Sequence, residues 1–271
     1  MSIIYLTIII HGRAAMKKPL LSKYGFLFSE LVKRDFKKKY KSTYLGMLWS
    51  LASPLLTLFI MSLVFTRLFG SSTPHYTIYL FCGNICFSYF SDMTAGTMGA
   101  LLSNSDIITK IKLPNELFVL SRAVTSLINF SMTFSVFLIF CIIDRIAFGA
   151  HLLFLPITII FLSVFSLGIG LLLSVMFVFF RDIQYLWSVF TMLLMYLSAI
   201  FYTTDSFPAS VRWLFNLNPL YVYITQLRTA VIGGVLPDGV SALLGALYAT
   251  LSVLVGIWVY KNFRKKFIMY L

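Results

Sequence analysis

Charged residues are scarce in this sequence. Only 11% of its 271 residues carry charge, whereas 59% are hydrophobic and the mean hydropathy is +0.91. Soluble domains carry about 25% charged residues, so this chain has too little charge to cover a surface that faces water. The composition excludes a soluble globular protein and predicts an integral membrane protein.

Residues for catalysis and metal binding are scarce as well. The chain has three cysteines, all in apolar segments, and three histidines that stand apart from one another. This pattern fits neither a disulfide framework nor a zinc site, and the sequence has no GxxxxGK[ST] loop to hold nucleotide phosphates. We therefore predict that the chain is not an enzyme and has no catalytic residue, metal or cofactor of its own. A partner must then handle any ATP.

Long uncharged runs take up most of the chain. Crossing about 30 Å of hydrocarbon takes about 20 residues in a helix, and six runs are long enough. They cover residues 45–66, 76–102 (interrupted only by Asp92), 123–143, 146–180, 183–204 and 240–260. We predict an all-α membrane domain of six transmembrane helices over residues 43–271. The run 146–180 is too long for one upright crossing, so part of it tilts, bends near Pro156 or lies at the outer surface. The small residues Gly168 and Gly170 in this run would allow close helix contact.

Basic residues are distributed unevenly between the two sides of this topology. With both termini in the cytoplasm, 18 of the 22 Lys and Arg residues are cytoplasmic and four are external. Positive residues near spans stay in the cytoplasm, so we predict a multi-pass protein of the cytoplasmic (inner) membrane with both termini inside. Ten of these residues precede the first span, where anionic membrane lipid is a better partner than nucleic acid.

The chain before the first span has two parts. Residues 1–19 form an N-terminal extension whose apolar stretch is too short to span, and residues 1–15 are either translated or an over-extended reading before Met16. Residues 20–42 have apolar side chains at helical spacing, which predicts an amphipathic helix at the cytoplasmic interface. This helix either serves only as a basic anchor or also binds a lipid phosphate. The residues that would bind the phosphate are Arg34, Lys37, Lys38 and Lys39.

Two further features depart from plain spans and loops. The external segment 205–239 is rich in aromatic residues, which predicts short re-entrant helices rather than a polar loop. Asp92 is the one carboxylate inside a predicted span. It either faces a wet conduit or is satisfied by neighbouring hydroxyls, or it belongs to a proton relay.

Short motifs occur in a fixed order along the chain. They are Tyr44, Gly46, Trp49 and Pro54 at the first span, Asn104, Ile108, Lys110, Leu113 and Pro114 after the second, Arg181 and Asp182 after the fourth, and Asn218, Pro219 and Leu220 before the last. Together they resemble the membrane (permease) subunits of type-2 ABC exporters of polysaccharides, a family that handles O-antigen, capsule and teichoic acid. The resemblance covers nearly the whole chain from about Lys23 onward.

This resemblance implies a partner set and a substrate. The subunit would form a homodimer, pair with two copies of an ABC ATPase that binds ATP and Mg, and export a lipid-linked polysaccharide. The lipid is either a polyprenyl pyrophosphate or a phospholipid. The loop 103–116 would contact the ATPase and transmit its movement to the membrane domain, unless it only connects the second and third spans. The predicted coupling residues are Asn104, Ile107, Ile108, Lys110, Ile111, Leu113 and Pro114.

Aromatic residues, at 17% of the chain, exceed what interfacial belts require. Sugar rings pack on aromatic faces, so a glycan conduit is one interpretation, and lipid contact or helix packing is the other. The conduit candidates are Trp49, Phe59, Phe87, Tyr89, Tyr196, Phe201 and Tyr202. The segment 205–239 would form an external gate or a cap that does not move. The gate candidates are Phe207, Trp213, Asn218, Pro219, Tyr221 and Tyr223.

Three other functions compete with this prediction. An ion-coupled secondary transporter would show paired membrane carboxylates and internal repeats, and a membrane glycosyltransferase would show a carboxylate motif in an aqueous loop. The sequence shows neither pattern. An ABC exporter of a small hydrophobic drug or lipid is the nearest alternative.

Overall fold

The structure is a computed structural model that describes residues 20–40, 46–69, 75–111, 113–204 and 207–270. Within these ranges the chain is helical and has no β-strand. The α-helices are α1 (Leu20–Tyr40), α2 (Trp49–Phe69), α3 (Tyr76–Met98), α4 (Ser105–Lys110), α5 (Glu116–Ile143), α6 (Leu155–Phe179), α7 (Ile183–Leu197), α8 (Ala209–Arg212), α9 (Pro219–Val231), α10 (Gly239–Phe263) and α11 (Phe267–Tyr270). Short segments of 3-10 helix precede α2, α4, α6, α9 and α11.

Three helical segments are long and apolar enough to cross a membrane by length and composition. In the described part of the chain they are Glu116–Ile143, Ala150–Phe179 and Gly239–Phe263. Two shorter apolar helices, Leu51–Phe65 and Ile183–Leu197, accompany them. The prediction of an all-helical membrane protein is confirmed, and the count of six crossings stays a prediction.

Polar contacts join the ends of α5 to two other helices. His75 Nδ1 lies 2.7 Å from Asp144 Oδ2, which links the start of α3 to the end of α5. At the opposite end of α5, Arg264 Nη1 donates to Glu116 Oε1 at 3.0 Å. These contacts bring the start of α3 to the end of α5, and the end of α10 to the start of α5, as expected for antiparallel helices.

The tightest helix contact depends on glycine. A Cβ added at Gly256 of α10 would collide with the carbonyl of Gly168 in α6, and one at Gly168 would collide with the backbone of Ser252. A Cβ at Gly170 would likewise collide with Thr97 of α3. The expectation that Gly168 and Gly170 allow close helix contact is confirmed.

The helix bounds depart from the uncharged runs at three points. α5 begins at Glu116, before the predicted 123, because the helix extends beyond its apolar part into a more polar N-terminal part. α7 ends at Leu197 instead of 204, and Ala199 follows with a φ of 49°, a conformation that ends a helix. Pro156 lies in the first turn of α6, where its missing N–H is not needed, so it does not bend the helix.

Candidate functional site

A cavity of about 760 Å³ lies between α2, α3 and α5. Its lining residues are Trp49, Ser53, Pro54, Thr57, Asn84, Ile85, Phe87, Ser88, Tyr89, Ser91, Asp92, Ala95, Ser126, Asn129, Phe130 and Thr133. On α2 and α5 they recur every three or four residues, which places them on one face of each helix, whereas α3 contributes a wider face. The conduit candidates Trp49, Phe87 and Tyr89 are brought together here.

The cavity wall combines apolar surface with polar groups. Besides its aromatic and aliphatic side chains it presents serine and threonine hydroxyls, the amides of Asn84 and Asn129, and the carboxylate of Asp92. The phenol oxygen of Tyr89 lies 2.8 Å from Ser163 Oγ, which ties this wall to α6. Asp92 therefore borders the cavity, and its role stays a prediction. In the described part of the chain, no group of His, Cys, Asp and Glu is arranged to hold a metal ion.

The other conduit candidates do not line this cavity. Phe59 on α2 and Tyr196 on α7 are exposed at the surface of the single chain. Phe201 is buried, and its ring stacks on Phe65 with centroids 4.6 Å apart. Tyr202 lies just before the segment 205–239, and its ring contacts Phe207 of that segment. The seven residues therefore do not form one continuous path within a single chain, and a conduit role for them stays a prediction.

Tyr202 and three aromatic residues of the segment 205–239 form a connected row of rings. Tyr202 and Phe207 have centroids 5.8 Å apart, Phe207 and Phe215 5.3 Å, and Phe215 and Tyr221 5.4 Å. Burial raises the pKa of Tyr202, and the neighbouring Tyr221 adds to this rise. The hydroxyl of Tyr202 therefore stays protonated at neutral pH and donates to the carbonyl of Tyr196 at 2.8 Å.

The remaining gate candidates have different surroundings. Trp213 is 59% exposed and stands outside the aromatic row. Tyr223 points into the core, where its hydroxyl donates to the carbonyl of Gly245 at 2.8 Å. Asn218 caps α9 by accepting from the Leu220 N–H at 3.0 Å, and Pro219 occupies the first turn of that helix. The short helices predicted for this segment are present, and their insertion into the membrane stays a prediction.

A buried arginine holds the end of α7 in place. Arg228 of α9 donates to the carbonyls of Tyr79, Ala199 and Ile200 at 2.9 to 3.3 Å. Its guanidinium also lies over the Tyr79 ring, 3.4 Å from the centroid. The carbonyls at a helix C-terminus lack partners within the helix and carry partial negative charge, so the arginine satisfies them where α7 breaks. Tyr76 adds a hydroxyl bond of 2.7 Å to the carbonyl of Phe201.

A second polar network joins α1 to the loop between α3 and α5. Arg34 Nη2 donates to Asp35 Oδ1 and to Asn104 Oδ1, both at 2.8 Å. The other carboxylate oxygen of Asp35 accepts from Ser121 Oγ at 3.3 Å and lies 3.5 Å from Arg122 Nε. Asp35 is only 1% exposed. One buried carboxylate therefore connects the interfacial helix, the turn before α4 and the start of α5.

The predicted coupling loop contains the short helix α4. Ile108 is 5% exposed and packs in a core with Leu31, Phe118 and Phe267, so its side chain is not presented to a partner. Ile111 is 55% exposed and is the apolar side chain that this loop presents. The other predicted coupling residues lie beside them: Asn104 is buried, Ile107, Leu113 and Pro114 are half-buried, and Lys110 is exposed. The coupling role of all of them stays a prediction.

The basic residues predicted to bind a lipid phosphate differ in how accessible they are. Lys37 and Lys38 are exposed at the end of α1. Arg34 already donates hydrogen bonds to Asp35 and Asn104, although part of its side chain remains accessible. The side chain of Lys39 lies outside the described residues.

Sequence reasoning missed Asp35 and Arg228. Asp35 was detectable as an acid within a run of basic residues, and Arg228 as a cation within the apolar helix α9. Neither signal identifies the partner, because the carbonyls and side chains that bind these groups are up to 149 positions away in the sequence.

Comparisons with known proteins point to one family. The profile of the family described as ABC-2 type transporter matches residues 27–232. An O-antigen export system permease protein of Klebsiella pneumoniae is 29% identical over 249 residues, which are 90% of this chain and 95% of that protein. A protein of the same description from Myxococcus xanthus is 26% identical, over 80% of this chain and 85% of its own length. A polysialic acid transport protein of Escherichia coli is 24% identical, over 84% of this chain and 90% of its own length.

Proposed function

The chain belongs to the ABC-2 type transporter family, and we propose that it is the membrane subunit of an ATP-driven exporter of a lipid-linked polysaccharide. The observation that carries the proposal is the similarity, along most of the chain, to permeases named for O-antigen export and polysialic acid transport. The exported glycan would be O-antigen, capsular polysaccharide or teichoic acid. The protein would act in the cytoplasmic membrane, with both termini inside.

The energy source would be a separate ABC ATPase. This chain has no phosphate-binding GxxxxGK[ST] loop, so two copies of a partner would bind ATP and Mg beneath two copies of this subunit. The outward face of α7 supports a homodimer, because its large apolar side chains are exposed in the single chain. They include Tyr185, Leu186, Val189, Met192, Leu193 and Tyr196. In a homodimer, the second subunit would bury these side chains, which the single chain leaves exposed.

Force would enter through the loop around α4. Ile111 presents an exposed apolar side chain, and Lys110 beside it presents a charge. The bond of Asn104 to Arg34, and of Arg34 to Asp35, would carry the displacement to α1. Closure of the ATPase subunits would in this way shift the helix that receives the substrate.

The substrate would meet the protein at the end of α1. Lys37 and Lys38 are exposed there and would attract the phosphate of the lipid anchor. The glycan would pass aromatic side chains between α2 and α7 of the two subunits. The row of Tyr202, Phe207, Phe215 and Tyr221 would close the external end by excluding water at rest.

The test is the ATPase activity of the chain purified with an ABC ATPase in lipid nanodiscs, with and without a polyprenyl diphosphate-linked oligosaccharide. We expect the glycan-lipid to change the rate and Ile111→Asp to abolish that response or to dissociate the complex. Leu236→Asp is the matched control, since Leu236 is also an exposed apolar residue but follows α9 at the external end. A complex that responds to a hydrophobic dye and ignores the glycan-lipid would contradict the proposal.

A further inference from the structure

Two arginines from different helices flank one buried carboxylate. Arg34 of α1 donates to Asp35 Oδ1 from Nε at 3.1 Å and from Nη2 at 2.8 Å. Arg122 of α5 lies on the other side of the carboxylate, with its Nε 3.5 Å from Asp35 Oδ2. In the described part of the chain these are the ion pairs that the two arginines make. Two cations against one anion leave the cluster with an excess of one positive charge.

Arg122 is the less satisfied of the two arginines. Its Nε is buried and has no hydrogen-bond partner among the described residues. The facing oxygen of Asp35 already accepts from Ser121 Oγ at 3.3 Å. A buried donor on a charged group is costly to leave without an acceptor. The side chain of Arg122 is still 25% exposed, so an anion from outside the chain could reach it and would be bound favourably.

A phosphate group matches this cluster in charge and in geometry. A guanidinium presents its donors in a planar fork, which can bind two phosphate oxygens at once. Arg34 is 40% exposed beside the same carboxylate, so both arginines are within reach of a ligand. Lys38 lies one helical turn beyond Arg34 in α1 and is exposed. A phosphate at the two arginines would therefore have a third cation close to it.

The cluster is connected to the predicted coupling loop. Arg34 Nη2 also donates to Asn104 Oδ1 at 2.8 Å, and the amide of Asn104 donates to the carbonyl of Ala100 at 2.7 Å. A ligand that draws Arg34 toward itself would weaken its bond to Asn104, in the turn before α4. Binding at the cluster would in this way change the rate of an ATPase that contacts the loop.

We propose that Arg122 and Arg34 form a phosphate-binding site at the junction of α1 and α5, and that this site holds the phosphate of the substrate's lipid anchor. The inference rests on the proposed function and adds Arg122 as a specificity-determining residue. Lys37 and Lys38 would attract the anchor from the surrounding water and lipid. The two arginines would then bind its phosphate directly, next to the network that leads to α4.

The test compares two probes that carry the same oligosaccharide on the same polyprenyl chain. One probe joins them through a diphosphate, and the other joins them through an uncharged ether. In phosphatidylcholine nanodiscs that hold the complex with its ATPase, we measure the concentration of each probe that gives half-maximal change in the ATPase rate. We expect the diphosphate probe to act at a concentration about thirtyfold lower, because each charge-assisted hydrogen bond adds affinity.

Three variants assign this preference to Arg122. Arg122→Gln should reduce it to about threefold, because the amide has neither the charge nor the donor fork. Arg122→Lys keeps a cation beside Asp35 and should reduce it to about tenfold, because an ammonium cannot bind two oxygens in one plane. Arg145→Gln is the matched control, since Arg145 is exposed just past the opposite end of α5 and should keep the full preference.

The outcomes separate the site from the exporter function. Equal responses of the unmodified complex to both probes, or a full preference in Arg122→Gln and Arg122→Lys, would overturn the site and leave the exporter function standing. If Arg122→Gln does not fold, Arg122→Lys alone decides. A complex that responds to neither probe would overturn the exporter function and this site with it.

A membrane phospholipid is the other source of a phosphate group. The same measurements are therefore repeated with phosphatidylglycerol in the nanodiscs. We expect Arg122→Gln to reduce the preference for the diphosphate probe in this bilayer as well. An effect of Arg122→Gln on the ATPase rate without probe, and none on the preference, would assign the site to the phospholipid and overturn its assignment to the anchor.

Discussion

At the residue scale, the structure depends on a few polar groups buried among apolar helices. Arg228 is the clearest case, since it contacts three backbone carbonyls and one aromatic ring, and α9 places it at the break after α7. A guanidinium has five donors in a fixed plane, whereas an ammonium has three on one atom. Lysine at this position could not reach the same set of carbonyls.

We expect Arg228→Lys to destabilise the protein by about 1 to 3 kcal/mol, because it leaves buried carbonyls without donors. The measurement is the thermal unfolding midpoint of the purified chain in detergent. Arg212→Lys is the matched control, because Arg212 is exposed and donates to the carbonyl of Phe207 at 2.8 Å. Equal midpoints for the two variants would contradict the role assigned to Arg228.

Asp35 is the buried acidic counterpart of this arginine, in the network that joins α1 to the start of α5. It is nearly inaccessible, and its two oxygens contact Arg34, Ser121 and Arg122. Removing one partner from a buried ion pair leaves the other charges uncompensated. The carboxylate is therefore a positioning group for the helices around it rather than a group that touches substrate.

We expect Asp35→Asn to lower the stimulation of ATPase activity by glycan-lipid about tenfold, since it loosens the connection from α4 to α1. The basal ATPase rate should persist, which distinguishes uncoupling from loss of the complex. Glu30→Gln is the control, because Glu30 pairs with Lys33 on the exposed face of the same helix. Retained stimulation in Asp35→Asn would show that force does not pass through this network.

At the element scale, α6 and α10 form the closest helix pair of the bundle. Membrane helices associate without a hydrophobic driving force, so small residues that let backbones approach are decisive. Gly168 and Gly256 provide this approach from both sides. A methyl group at either position has to separate the helices.

We expect Gly168→Ala to lower the unfolding midpoint, with a cost of about 1 to 3 kcal/mol for the forced overlap. Gly25→Ala is the matched control, because Gly25 also lies in a helix but has open space where its Cβ would be. Alanine favours a helix over glycine, so the control should be neutral or slightly stabilising. A neutral Gly168→Ala would mean that the two helices are not in close contact.

The sequence predicted where the helices lie better than it predicted where they end and what they contact. Uncharged runs located the helices of the bundle because burial in lipid requires long apolar segments. Helix ends were predicted less well, because capping and local conformation set them, as at Ala199 and Pro156. Trp49, Phe87 and Tyr89, predicted as conduit residues, line one cavity, and Ile108, predicted as a coupling residue, lies in the core; both roles stay predictions. An isoleucine in a short polar loop looks exposed until the core beneath it is known.

At the scale of the whole molecule, three features lie on different elements of the helical bundle. Exposed basic residues lie at the end of α1, a cavity lies among α2, α3 and α5, and a row of aromatic rings follows α7. The exposed side chain of Ile111 directly follows α4. The chain that carries these features belongs to the ABC-2 type transporter family, and the transport path through them is the proposal to be tested.

The most direct test of the exporter function is transport itself. The chain and its ABC ATPase are reconstituted in proteoliposomes with a polyprenyl diphosphate-linked oligosaccharide, and a membrane-impermeant glycosidase measures how much glycan is exposed on each side. We predict that ATP moves the glycan away from the leaflet that faces the ATPase, and that a non-hydrolysable ATP analogue does not. Glycan that keeps its initial distribution in the presence of ATP and an active ATPase would contradict the account.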